Sequence, residues 1–524
     1  MRLILAVLTS AMICGQAWAQ DYAVVVSART ETNSGWREVV AELRQKHAAA
    51  VITYQASVEE ALLALRKLFP RYVCFVAPPA EVSRGFVAQV HRLTRRLNDD
   101  PYPDCLWGIL TGFDTANALR IAHCSEPLTI HKAAAGTPIP LQHFDEGRWY
   151  SELDSGRMMN KGKGGQPQEM RVAADTTEAL VKSLTEYRAD MLVTSGHAAE
   201  RDWQIGYRYR NGQFRCERGV LYGLDTQGRK FPVQSTNPKV YLPVGNCLMG
   251  HIDSTEAMAL AFMNSAGANQ MLGYTVNTWY GYAGWGCLDY FVEQPGRFTL
   301  AEAFFANQAA LIHRLQTYFP ELLDAPFDPL SKATPVIKVN AAARAAGLTE
   351  QDGLGLLYDR DVLAFYGDPA WAARLAPSAT AWDQHLSLND GLWSFEIHPQ
   401  RGEQSFTAGD TNGSQRGGRP VVQLLPKPLD NIQIVEGQDL KPVITSRFIL
   451  VPNLGKCDPE KTYRVTFRAS KRIISSRRRP SGRPESRPFP SSSPQGSVMA
   501  DEPSPVSVFD MPNWHFKPIC PRTT

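Results

Sequence analysis

The sequence predicts an α/β protein: two adjacent, doubly wound α/β subdomains, then a small β-sandwich and a disordered tail. Three observations lead there. Over residues 20–375, short apolar runs alternate with segments of helical spacing, the pattern of parallel strands with helices packed on them. Between 392 and 468, short alternating runs are separated by Gly, Pro and Asn turns, as in a β-sandwich. From Lys471 the chain is rich in Arg, Ser and Pro and has no apolar period.

Residues 1–19 read as a secretory signal. Arg2 is the charged start, Leu3 to Cys14 the apolar run, and Ala17-Trp18-Ala19 the cleavage site. The first subdomain, 20–135, has strands at 23–28, 50–54, 72–76 and 106–110. Between them lie helices in which Trp36, Val39, Val40 and Leu43, or Phe86, Val90, Leu93 and Leu97, share one face. Ser57-Val58-Glu59-Glu60 is a capping box. The stretch 136–168, with HFDEGRW and NKGKGGQPQ, is turn-rich and predicts a linker or surface loop.

The second subdomain, 169–375, begins with a helix opened by Asp175, and Met191 to Ser195 is its first strand. Tyr207 to Arg210 running into Asn211-Gly212 predicts a hairpin. Lys239 to Val244 is a buried strand, and Asp253 to Glu256 predicts a capping box for a helix reaching Asn264. Gln270 to Val276 is a strand, and Leu300 to Tyr318 a long amphipathic helix. The β-sandwich takes 390–470 and the tail 471–524.

Composition excludes several classes. The net charge is only +3, and Lys471 to Arg487 alone holds seven Lys/Arg and one Glu, so the folded part is near neutral and offers no nucleic-acid surface. After the signal, no run reaches transmembrane length. No GxGxxG follows the first strand, which argues against a dinucleotide enzyme. Eight cysteines follow the signal, without a disulfide-framework spacing or a CxxC knuckle. Cys74 lies inside an apolar strand and reads as buried and inert.

The chemistry points to two strand ends. MLVTSG delivers His197, and fifty residues later KVYLPVGN delivers Cys247. Ligands in open α/β sheets bind beyond the carboxyl ends of strands. An imidazole there can take the thiol proton, and backbone N–H groups can hold the oxyanion that attack on an amide creates. Gly196, Ala198, Gly245 and Asn246 are the candidate oxyanion or substrate-backbone contacts. The alternative is a structural thiol and a surface imidazole.

This pattern resembles the caspase–legumain–gingipain clan of cysteine peptidases, and within it the gingipain type. MLVTSGHA matches the strand leading to the catalytic His, and KVYLPVGNC the strand leading to the catalytic Cys. NDDPYPDCLWGILTG, SAGANQMLGYT and AFYGDPAW extend the resemblance over residues 20–470. The resemblance implies a caspase-like fold and an exported cysteine endopeptidase acting on a peptide or protein substrate. His197 would be the general base and Cys247 the nucleophile, with a thioester acyl-enzyme and no cofactor. Hydrolysis and transpeptidation would use the same residues. Where the family has His-Gly, this chain has His197-Ala198. Trp279 and Trp285 would wall the substrate pocket. A catalytically inactive binding or scaffolding protein on the same fold is the other reading.

Other residues have local readings. Glu200, Asp202, Asp253 and Asp289 are candidates to meet a basic substrate side chain, each with a cap or solvated carboxylate as the alternative. Asp190 is a candidate to orient the imidazole. His251, four residues after Cys247, has no third metal ligand at suitable spacing. Asp99, Asp100 and Asp104 read as turn residues beside Pro101 and Pro103 rather than as calcium ligands.

Overall fold

The computed structural model describes residues 21–331, 335–407 and 412–472. The predicted signal and nearly all of the predicted tail lie outside the described residues. Twelve strands form one mixed sheet: β1 (Tyr22–Ser27), β2 (Ala50–Tyr54), β3 (Tyr72–Val76), β4 (Leu106–Leu110), β5 (Lys132–Ala135), β6 (Glu146–Tyr150), β7 (Arg157–Lys161), β8 (Gln168–Arg171), β9 (Met191–Thr194), β10 (Lys239–Pro243), β11 (Ala268–Tyr274) and β12 (Leu363–Tyr366). Their order across the sheet is β2-β1-β3-β4-β12-β11-β10-β9-β5-β6-β7-β8. The fold is α/β, as the alternation of strands and helices predicts.

Each half is parallel inside. β1 pairs parallel with β2 and β3, and β3 with β4. In the other half, β11, β10, β9, β5 and β6 follow one another in parallel. β12, late in the chain, joins the halves: it runs antiparallel to β11, and Gly367 N donates to Ile109 O of β4. β12 pairs parallel with β4, at Tyr366↔Ile109. Arg84, beyond β3, reaches across to donate to Thr275 O, one residue past β11.

Strands β1, β4, β10 and β11 are buried along their whole length, which is why they read as continuous apolar runs. Helices Ser34–His47 and Arg84–Thr94 bury the predicted faces. Helix Leu300–Tyr318 starts in a Thr299/Glu302 capping box and is buried over most of its surface, packed on helix Tyr282–Phe291.

Several expectations are corrected. The segment 136–168 is not a plain loop: β6, β7 and the first residue of β8 lie in it, forming an antiparallel ribbon at the sheet edge. Trp149, Tyr150 and Met158 are buried there while β8 is fully exposed, so no two-sided apolar run marks the ribbon. The predicted hairpin at 207–210 is shifted. Its strands are Asp202–Gln204 and Gln213–Glu217, and Asn211 uses its side chain to bond Thr176 and Gly212. The helix after Cys247 spans Met258–Asn264, later than predicted; its N-cap is Ala257, which has no capping side chain, and Asp253 is bonded to Arg201 instead.

The β-domain pairs Trp382–Asn389, Leu392–Pro399, Tyr463–Lys471 and Leu429–Glu436 in one sheet. Val421–Leu424, Phe448–Val451 and Val443–Ile444 make the second sheet. Its first strand begins before residue 390, with a turn at Asp390-Gly391. All described residues fall in one compact unit.

Candidate active site

Register brings the two predicted strand ends together. β9 and β10 pair from Met191↔Val240 to Thr194↔Pro243, so both strands stop side by side. Val244 N donates to Thr194 O at 3.0 Å, and the two chains then turn into one cleft. Asn246 ties the turns. Its Nδ2 donates to Gly196 O at 3.0 Å, and its Oδ1 accepts the Thr194 hydroxyl at 2.6 Å. That hydroxyl also meets Tyr241 OH at 2.9 Å.

The cleft has a volume of about 290 Å³ and includes Ser195, Gly196, His197, Gly245 and Cys247 in its lining. Trp279 and Trp285 also line it, together with Glu152, Tyr207, Thr278 and residues 412–414. His197 is exposed and Cys247 half-buried, so the imidazole stands at the mouth and the thiol deeper.

Of the four candidate backbone contacts, Gly196 and Gly245 line the cleft. Asn246 is wholly buried and both ends of its amide serve the protein, so its side chain is a brace rather than a substrate contact. Ala198 lies outside the lining and pairs with Trp203. The left-handed conformation at this corner belongs to Gly196, with φ 95°, and Ala198 does not share it. The His-Ala departure therefore puts no strain on the backbone here. Leu248, directly after Cys247, does adopt φ 57°, a conformation that costs a non-glycine residue about 1–2 kcal/mol.

Cys247 Sγ accepts a hydrogen bond from Thr278 N at 3.2 Å. Burial pushes the thiol pKa up, and the Thr278 amide partly offsets this by favouring the thiolate. The ring of His197 packs on Tyr207 at 4.7 Å between centroids, tilted by 30°. The Tyr207 amide in turn donates to the Glu152 carbonyl at 2.7 Å.

Glu152 is the residue that sequence reasoning missed. Its Oε1 accepts the Thr137 hydroxyl at 2.9 Å, and its Oε2 sits against Gly196, where a Cβ would lie 3.6 Å away. Burial pushes its carboxyl up to about 7, partly offset by the hydroxyls of Thr137 and Ser195. A carboxylate two residues past Trp149-Tyr150 is legible only once 146–150 is known to be a strand. Tyr207 and residues 412–414 carried no site signal, because their place depends on distant parts of the chain.

The other candidates are accounted for elsewhere. Glu200 bonds His251 at 2.8 Å, Asp253 is held by Arg201 at two points of 2.8 Å, and Asp289 is held by Arg416 and Arg419. None of these, nor Asp202, lines the cleft. Asp190 accepts from His131 N and Lys132 N at the other end of β9, away from the imidazole. Asp104 and Asp100 accept local backbone N–H groups, as turn residues do. Among the described residues no group of three His, Cys, Asp or Glu is placed to hold a metal. No helix among them is long and apolar enough to cross a membrane. The seven described cysteines are unpaired.

No protein-family model and no curated protein matches the chain. Two solved structures are similar in shape at low identity. One is the complex of Porphyromonas gingivalis RgpB pro- and mature domains, at 12% identity and TM-score 0.41, covering 86% of this chain and 99% of that one. The other is the structure of a protease, at 10% identity and TM-score 0.38, covering 86% of this chain and 94% of that one.

Proposed function

We propose that the protein is an exported, gingipain-like cysteine endopeptidase in which Cys247 is the nucleophile and His197 the general base. The observation that carries this reading is the shared cleft: two strand ends chosen from sequence for their His and Cys meet there, braced by Asn246. Because burial disfavours the thiolate, the dyad works by proton transfer during attack rather than through a standing ion pair. The thiol proton passes to His197 as sulfur bonds the substrate carbonyl carbon. Backbone N–H groups at Cys247 and beside Gly196 stabilise the oxyanion. The C–N bond breaks as His197 returns the proton to the leaving amine, leaving a thioester on Cys247. Water, deprotonated by His197, attacks the thioester; the carboxylic acid leaves and the thiol is restored. An amine in place of water gives transpeptidation.

Glu152 is a conditional charge in this scheme. Its carboxyl is neutral below about pH 7 and anionic above it.

The test is cleavage of a mixed fluorogenic peptide library by the wild type, Cys247→Ala and His197→Ala, with melting curves of all three. Cleavage by the wild type and loss in both correctly folded variants is expected. Cleavage that persists in Cys247→Ala contradicts the reading, as does a folded wild type that cleaves nothing.

A further inference from the structure

The imidazole of His197 is exposed and has no hydrogen-bond or ion-pair partner among the described residues. χ2 of a histidine is a broad, roughly two-fold torsion. A base free to turn about it spends little time with a nitrogen aimed at the thiol, and proton transfer needs that nitrogen within hydrogen-bond reach. The ring contact of His197 is with Tyr207, at 4.7 Å between centroids and tilted by 30°. A flat aromatic contact restricts the turning of the ring it covers.

Tyr207 can hold the imidazole only if its own backbone is held, and it is held on two sides. On one side, the amides of Tyr207 and Arg208 both donate to Glu152 O, at 2.7 and 3.3 Å. The Tyr209 hydroxyl donates to Ser151 O at 2.7 Å. Ser151 and Glu152 directly follow β6, so a third strand end, besides those of β9 and β10, anchors the site. On the other side, Gln204 N donates to His197 O at 2.9 Å, and Trp203 Nε1 donates to Ser195 O at 2.8 Å. A Cβ on Gly196 would lie 3.6 Å from Gln204 O and 3.9 Å from Tyr207 Cβ, so the loop touches the corner that turns His197 into the cleft. Ile205 N closes the base of the loop on Gly212 O at 3.1 Å. Asn211 ties it to Thr176 through two bonds of 3.0 Å. The Tyr207 side chain itself belongs to no buried core cluster, and the residue is 45% exposed. Its ring lines the cleft instead.

We propose that Tyr207 is the positioning residue of His197: its ring, fixed by the clamp on the Glu152 and His197 carbonyls, keeps the base turned toward Cys247. This rests on Cys247 being the nucleophile and His197 its base. Tyr207 acts through the imidazole, and so on the rate of the reaction rather than on the affinity for substrate.

Two readouts test this. The first is labelling by a peptidyl acyloxymethyl ketone, resolved into a maximal rate and a half-saturating concentration. Tyr207→Ala is expected to lower the maximal rate about tenfold or more, and to move the half-saturating concentration by less than about threefold. Tyr207→Phe, which keeps the flat face, should retain roughly half of the rate or more. Tyr207→Leu keeps bulk without the flat face and should fall with the alanine variant; it decides the matter if Tyr207→Ala does not fold. The second readout is the carbon–proton resonance of the His197 ring in histidine-labelled protein, assigned by its loss in His197→Ala. The ring current of the neighbour should displace it in the wild type and in Tyr207→Phe, and not in Tyr207→Ala or Tyr207→Leu. A maximal rate that neither Tyr207→Ala nor Tyr207→Leu lowers overturns the proposal, as does an equal loss in Tyr207→Phe or a His197 resonance alike in all four proteins. A loss carried wholly by the half-saturating concentration makes Tyr207 a substrate contact and overturns it too. A wild type that the probe does not label removes the nucleophile reading, and this inference with it; a labelled wild type with unaffected variants removes this inference alone.

Discussion

Cys74, inside β3, and Cys247, beyond the end of β10, belong to the two halves of one sheet, and they could hardly differ more. Cys74 is inside β3, wholly buried, with its thiol pushed far up by burial and by the charge of Asp368. Cys247 is four residues past the end of β10, half-buried, at the edge of an open cleft with His197 across it. What separates an inert thiol from a candidate nucleophile here is four residues of chain beyond the strand end. Inside a strand, the ladder surrounds the side chain with backbone and neighbours. Beyond it, the chain turns, and the Gly196 corner and the Leu248 conformation aim two side chains into one space.

Variants can break or sharpen this contrast. The largest effect is expected from Cys247→Ala, which should remove at least a hundredfold of ketone-probe labelling. Cys74→Ala should leave labelling unchanged and lower stability by about 1 kcal/mol in denaturant titration. Next is Asp289→Ala, which strands two buried arginines and should destabilise the protein by about 3–5 kcal/mol, read as a fall in melting temperature. Asn246→Ala removes the brace between the two strand ends. About 1–3 kcal/mol of stability should go with it, and labelling of Cys247 should drop while thiol exposure, counted with a small disulfide reagent, rises.

The smallest effect concerns Glu152 and is seen only against pH. Its folded pKa, about 7, lies above the ordinary carboxyl value, so the fold favours the protonated form. The contribution is whole below the unfolded pKa and is lost as pH rises through about 7. Glu152→Gln should therefore melt like the wild type at pH 4 and at a higher temperature at pH 8. Equal shifts at both pH values would contradict this.

Much of the site was legible because it is local. The apolar runs of β9 and β10 and their His and Cys are contiguous in sequence, and the strand-end rule for α/β sheets supplied the place. The parallel cores were legible for the same reason, since fully buried strands leave unbroken apolar runs. What escaped depends on tertiary pairing. β12 joins the halves from 89 residues (363 − 274) downstream of the end of β11, at Leu363 against Tyr274. The edge ribbon β6–β8 is half exposed and shows no period. Asn246 reads as a substrate contact until the Gly196 carbonyl is seen to claim it. Residues 412–414 reach the cleft only because Arg416 and Arg419 find Asp289 on a distant helix.

The most direct measurement is mass-spectrometric mapping of a peptidyl acyloxymethyl ketone adduct over all seven described cysteines, in the wild type and in His197→Ala. The account predicts an adduct on Cys247 alone, lost when His197 is replaced. An adduct spread over other cysteines, or one on Cys247 that forms as fast without His197, would contradict it.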